Sequence, residues 1–304
     1  MRDHYMKKAT LFLIILFGIS VIVAAVSWFI RPSRKQQGAS PVITMENRVV
    51  EVPVGADDAA ILEGIIANDA EDGDLTRKLI VESMSRFISK GKRSATIGVV
   101  DSDDNVTEVT REVVYTDYRS PKYSLTAPLI FPVGTSKLDG TIRATDLIDG
   151  DITGKIRMKT DVSDLGDREG SYSVTFTCSN SLGDSSEIPL TITYDNNVVD
   201  NTYPKIVLSS YLVYIKQGTT LYPWNYMESL TAEKRTYQKS IEDDTLVLRV
   251  PGDDTHMIEE DDFEIIYGGF NSSVPGVYEV FLTYTDSQNR TGRTCLVIVV
   301  EEAD

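Results

Sequence analysis

The chain has 304 residues, 25 % charged and 41 % apolar, a globular balance that excludes a disordered chain. Six basic residues and one acid precede position 36; the remainder carries 24 basic against 45 acidic residues, and a surface that acidic repels DNA, RNA and anionic lipid. With two cysteines and two histidines, neither a disulfide framework nor a histidine-built zinc site is expected.

Residues 1–8, MRDHYMKK, form a basic leader, and residues 9–30, ATLFLIILFGISVIVAAVSWFI, follow without one charge. At about 1.5 Å per residue a helix of that length spans roughly 33 Å, one hydrocarbon core. Trp28 suits an interfacial anchor. A cleaved signal peptide is the competing reading, with Val23-Ala24-Ala25 as the small-residue site, but the apolar run is too long for it and continues past that site. An uncleaved single-pass signal anchor is therefore expected. Charge on the two flanks is balanced, so the acidic bulk downstream sets the orientation: leader cytoplasmic, remainder outside the plasma membrane. Residues 31–40, RPSRKQQGAS, are a polar linker that reaches at most roughly 35 Å.

Three segments of one pattern follow. Each opens on a short strand ending in glycine: VVEVPVG (49–55), LIFPVG (129–134) and VYIKQG (213–218). Each closes on an alternating strand, a turn and another strand. Gly170 to Cys178 gives Tyr172, Val174, Phe176 and Cys178 one face; Gly276 to Tyr284 does the same with Tyr278, Val280, Leu282 and Tyr284. The intervening turns open with Asp101-Ser102, Asn180-Ser181 and Asp286-Ser287. Short strands with such turns, in units of 80–100 residues, predict an all-β chain of three tandem β-sandwiches behind one transmembrane helix. The domains are expected at 41–118, 119–197 and 203–304, the third divergent with a longer middle. Placed in line, three modules of about 35 Å would reach on the order of 100–130 Å.

The first two segments share a further unit. Residues 67–79, ANDAEDGDLTRKL, and 144–156, ATDLIDGDITGKI, are identical at seven of thirteen positions, with Asp69 and Asp146 77 residues apart. The third has only Glu242-Asp243-Asp244-Thr245 in its middle. A closing G-x-Y-x-V-x-[FL]-T strand with D-x-x-D-G-D-[LI]-T upstream resembles the bacterial immunoglobulin-like domains named after a pesticidal crystal protein. Those domains resemble hyalin-repeat and cadherin-like modules. The resemblance covers about residues 41–304 and implies immunoglobulin-like, extracytoplasmic, usually non-catalytic modules.

Two groups of residues are candidate sites. Asp69, Glu71, Asp72 and Asp74 in the first copy, with Asp146, Asp149 and Asp151 in the second, are read as tight-turn chemistry, because Asp-Gly favours turns and short side chains bind nearby amides. Calcium, which takes six to eight hard oxygens, is the alternative; no other cofactor is expected. The second group is Tyr222, Trp224 and Tyr226, which a strand would present on one face for stacking on sugars or anchoring a partner; filling the third core is the competing reading. Cys178 is expected as a buried hydrophobe. No nucleophile has a histidine partner, and nothing localises a carboxylate pair, so no catalytic residue is assigned.

The expected function is a non-enzymatic, membrane-anchored module binding proteins or polymer in a bacterial envelope. A carbohydrate-binding or adhesin-type protein using the aromatic stretch, with cell-wall or other glycan as partner, and a surface hydrolase are the alternatives.

Overall fold

The computed structural model describes residues 16–22, 26, 38–135, 138, 140–160, 165–242 and 245–303. Most of the predicted span at 9–30 lies outside them; 16–22 and Val26 are helical, and no helix among the described residues is long and apolar enough to cross a membrane. The chain forms two compact bodies. One takes its strands from residues up to 52, 56–85 and 94–114; the other comprises 53–55, 86–93 and 115 onward.

Apart from short helical turns, the described chain beyond the linker is built of strands. In chain order the first are β1 (Val42–Met45), β2 (Val49–Val52), β3 (Ile65–Asp69), β4 (Gly73–Asp74), β5 (Ile80–Met84), β6 (Lys92–Val100) and β7 (Val106–Tyr115). They form the sheets β1-β3-β4 and β2-β7-β6-β5. Every second residue turns inward, so Ile65 and Ala67 from one sheet are buried with Ala95, Ile97, Val99 and Val113 from the other. Arg111 is also buried; its guanidinium donates to the carbonyls of Ile61 and Glu63 at 2.7 and 2.6 Å, closing the end of the short helix Asp58–Leu62.

In the second body, β8 (Lys122–Leu125), β9 (Ile130–Phe131), β10 (Ile142–Asp146), β11 (Gly150–Asp151), β12 (Arg157–Lys159), β13 (Gly170–Ser179) and β14 (Ser185–Tyr194) repeat the plan as sheets β11-β10-β8 and β12-β13-β14-β9. The predicted inward face is present: Val174, Phe176 and Cys178 are buried and Tyr172 half-buried, with Ile188, Leu190 and Ile192 buried on the partner strand. Each such side chain contributes roughly 1.5–3 kcal/mol by leaving water.

A third pair of sheets follows: β15 (Lys205–Leu208), β16 (Leu212–Lys216), β17 (Met227–Ala232), β18 (Arg235–Glu242), β19 (Thr245–Val250), β20 (Asp253–Ile258), β21 (Phe263–Ile266), β22 (Gly276–Thr285) and β23 (Thr291–Glu301). The sheets are β15-β17-β18-β19-β20 and β16-β23-β22-β21. The longer middle of the sequence is the meander β18 to β20, which widens one sheet to five strands.

The second and third sheet pairs do not stand in line with only a linker between them. They share an interface. Cys295 and Val297 point away from the third core, opposite Leu296 and Ile298, yet are only 8 % and 2 % exposed. They border a small cavity together with Leu125, Leu129 and Ile130 of the second pair. The amide of Thr191 on β14 donates to Glu279 Oε1 on β22 at 2.7 Å, and the amide of Tyr123 on β8 donates to the Tyr214 hydroxyl on β16 at 2.8 Å. Lys122 lies 4.3 Å over the Tyr214 ring and 2.7 Å from Glu301. Burial pushes the Tyr214 hydroxyl up to about 12, so it remains neutral in this interface. In-line stacking of these two modules, assumed in the length estimate, is thereby corrected.

Candidate interaction surface and repeated carboxylate ties

The duplicated Asp-Gly-Asp unit folds identically twice. After β3, Asp69 Oδ1 accepts the amides of Glu71 and Asp72 at 2.8 and 2.9 Å; after β10, Asp146 Oδ1 accepts those of Ile148 and Asp149 at 2.9 and 3.1 Å. Gly73 and Gly150 follow at φ 74° and 70°, a left-handed conformation that glycine adopts without strain. Asp74 and Asp151 then accept from the amides of Thr76 and Thr153, both at 2.9 Å. The threonine hydroxyls in turn accept the amides of Ala67 and Ala144 at 3.2 and 3.1 Å. The shared aspartates and threonine of the motif therefore each satisfy a backbone group.

The middle acid has a longer reach. Asp72 accepts both the amide and the hydroxyl of Ser102, at 2.6 and 2.8 Å, and Asp149 accepts the same pair from Ser181, at 2.7 and 2.6 Å. These serines occupy the second position of the loop closing β6–β7 and β13–β14. The tie thus fastens a turn of one sheet to the hairpin of the other. In the first copy, hydrogen bonds from Ser102 hold the Asp72 carboxyl below its usual range; in the second, Lys155 at 2.5 Å and then Ser181 do so for Asp149. Glu71 is exposed and gives the turn its amide, not its carboxylate.

The third segment, which lacks the motif, keeps the tie. Glu233, at the tight β17–β18 turn with φ 51°, accepts the amide of Ser287 at 2.9 Å and also its hydroxyl. All three closing loops share one geometry. Oδ1 of Asp101, Asn180 and Asp286 accepts the amides two and four residues on, at 2.8–3.0 Å. The fourth positions, Asp104, Gly183 and Asn289, all take positive φ. Sequence reasoning missed Glu233. The signal that could have found it is the Asp/Asn-Ser pair common to the three loops.

The predicted carboxylates are thus brought to amides and hydroxyls and do not converge on one point. Among the described residues no group of three or more His, Cys, Asp or Glu side chains is placed to hold a metal ion. Besides the Lys155 pair, the two copies differ at the second oxygen of their first aspartate. Asp146 Oδ2 accepts from Asn180 Nδ2 at 3.2 Å and the Tyr118 hydroxyl at 3.4 Å, whereas Asp69 Oδ2 is buried without a partner.

The predicted aromatic face does not form. Trp224 and Tyr226 belong not to a strand but to the 3-10 turn Pro223–Tyr226, which Tyr222 precedes as its N-cap, and the rotation per residue sends the rings in different directions. Trp224 is 4 % exposed, donates its indole N–H to the Leu246 carbonyl at 3.0 Å and packs 5.1 Å from the Phe263 ring. Tyr222 is 62 % exposed and Tyr226 half-buried. Pro223 at the first helical position sets the turn, since its fixed φ suits a helix start and it has no N–H to leave unpaired. Trp224 is a core residue.

No family model matches the chain, and no curated protein matches it. Among solved structures it is similar to the M60 catalytic domain with the CBM51-1 and CBM51-2 domains of Clostridium perfringens ZmpB, at 10 % identity and a TM-score of 0.23, covering 87 % of this chain and 31 % of that one. It is also similar to CBM51-2 in complex with GlcNAc and INT domains of the same protein, at 13 % identity, a TM-score of 0.21 and coverage of 85 % and 41 %. Drosophila N-cadherin EC1-4 matches at 13 % identity and a TM-score of 0.21, over 87 % of this chain and 76 % of that one. The chain spans less than half the length of the two ZmpB structures.

Proposed function

We propose that this chain is a non-enzymatic interaction protein of the bacterial envelope. It carries three tandem immunoglobulin-like sandwiches outside the plasma membrane, anchored by the uncharged segment at 9–30 with the leader cytoplasmic. The observation that carries this reading is the threefold tie. The acids most conspicuous in the sequence, together with Glu233, are engaged in fastening turns to hairpins, which is the work of a scaffold that presents surface. Its partners are envelope or surface proteins. The glycan alternative would rest on the exposed Tyr222, since Trp224 is buried.

Crosslinking of the native protein in intact cells, followed by affinity purification, tests this. The expected result is a reproducible envelope protein partner, with a tag at the C-terminus reached by external protease and a tag at the N-terminus protected. Protection of the C-terminal tag in intact spheroplasts, or recovery only of cytoplasmic partners, overturns the reading.

A further inference from the structure

The connection between the second and third sheet pairs, residues 195–204, is seated at both ends. The Asp195 amide donates to the Phe131 carbonyl at 2.8 Å, and the Asn196 side chain accepts the Val133 amide at 3.2 Å. At the far end Gly292 on β23 lies so close to Pro204 that a Cβ there would collide with the Pro204 carbonyl. Beside the connection a cleft of about 230 Å³ is thereby held between β9, β14, β15 and β23. That is below the range of about 300–1,000 Å³ for drug-sized ligands and leaves room for a single ring.

The lining combines two characters. Pro128, Ile130, Pro204 and Ile206 are its apolar part, the last two buried. Asp195, Asn197, Asp200, Tyr203, Lys205 and Arg293 are its polar part. Two carboxylates against two cations leave no net charge, so the lining selects neither an anion nor a cation. Lys205 donates to Asn201 Oδ1 at 2.6 Å and the Arg293 guanidinium lies 3.7 Å from the centre of the Phe281 ring; both keep their charge. Arg290, which lies near Asp200, is paired with Asp286 at 2.6 Å. Asp195 gives one oxygen to the Asn197 amide at 2.9 Å. Its second oxygen, the Asn197 carboxamide and the Tyr203 hydroxyl have no hydrogen-bond partner among the described residues. A matching ligand is therefore uncharged, brings both donors and acceptors, and has an apolar face. A sugar ring meets all three conditions: hydroxyls surround faces made of C–H groups, and a hydroxyl donating to a carboxylate makes a strong, charge-assisted bond.

We propose that this cleft binds one residue of a neutral saccharide, with Asp195, Asn197 and Tyr203 as its hydrogen-bonding contacts. The site goes beyond the protein partners inferred above, and Tyr222 is not among its lining residues. The test is calorimetric titration of the full chain, in a neutral detergent without a sugar headgroup. The probes are the neutral trisaccharides of glucose, galactose, mannose and N-acetylglucosamine. Expected is saturable binding of at least one of them, with an affinity that does not change as salt rises, because no ion pair forms with the ligand. Asn197→Ala with Tyr203→Ala should weaken it at least about tenfold, and Tyr222→Ala should leave it unchanged. If the pair lowers the melting midpoint, Asn197→Ala alone replaces it, since that side chain is exposed, and a loss of at least about threefold is expected. Absence of binding by all four sugars, loss in Tyr222→Ala but not in the cleft variant, or binding of glucuronate or of tetraproline in place of the neutral sugars overturns the proposal. The titration involves neither a protein partner nor a membrane, so its failure leaves the envelope function standing.

Discussion

Strands β7 and β23 close their sheet pairs in the same way and differ on their outer faces. On β7 the outward row is Val106, Glu108, Thr110 and Glu112, the first three exposed and the last half-buried. On β23 it is Arg293, Cys295, Val297 and Val299, and the middle two are covered by the second sheet pair. The inner rows do one job, burying a core within a sandwich. The outer rows decide whether the sandwich stands by itself or is joined to another. A strand that is apolar on alternate residues has one buried face, and one that is apolar throughout has two.

The two outer rows should respond differently to a single lysine. Val297→Lys places an unpaired charge at a position 2 % exposed, and a loss of roughly 3–5 kcal/mol in urea unfolding is expected. Thr110→Lys, on the exposed face of β7, should change stability by no more than about 0.5 kcal/mol. Equal, small effects would mean that the second and third pairs are not joined through β23. A smaller effect is expected at the polar edge of the same interface. Glu279→Gln keeps an acceptor for the Thr191 amide but removes its charge, and a loss of about 1 kcal/mol should follow, together with faster thiol labelling of Cys295. Unchanged labelling would mean that this hydrogen bond does not help keep Cys295 covered.

Period-two alternation and turn residues made the sheets legible, and the inward face of β13 was readable residue by residue. The joint is legible too, in the unbroken apolar run from Cys295 to Val300, which needs cover on both faces of its strand. Trp224 was obscured for another reason. Alternating aromatics look like a strand, and only Pro223, acting as a helix starter, argues for the 3-10 turn that buries the indole. Glu233 was invisible to motif comparison because it does the work of Asp72 from a different turn. What is shared is a donor pair on serine, and the acid that meets it can arrive by any short connection.

The weakest expected effect separates the ties from the joint. Asp72, Asp149 and Glu233 are all held below their ordinary ranges, the first and third chiefly by serine hydroxyls, the second first by Lys155 and then by Ser181. A carboxyl depressed in the folded state stabilises it above the unfolded value, near 3.8 for aspartate, and that contribution disappears as pH falls through the folded value. Melting temperature should therefore decline below about pH 4, and Ser102→Ala should flatten the decline for the first body while Ser181→Ala and Ser287→Ala flatten it for the second. Val297→Lys should lower the midpoint at pH 7 instead, where every tie carboxylate is already ionised. If the serine variants shift the midpoint equally at pH 3 and pH 7, the ties hold by shape alone and the charge on the acid contributes nothing.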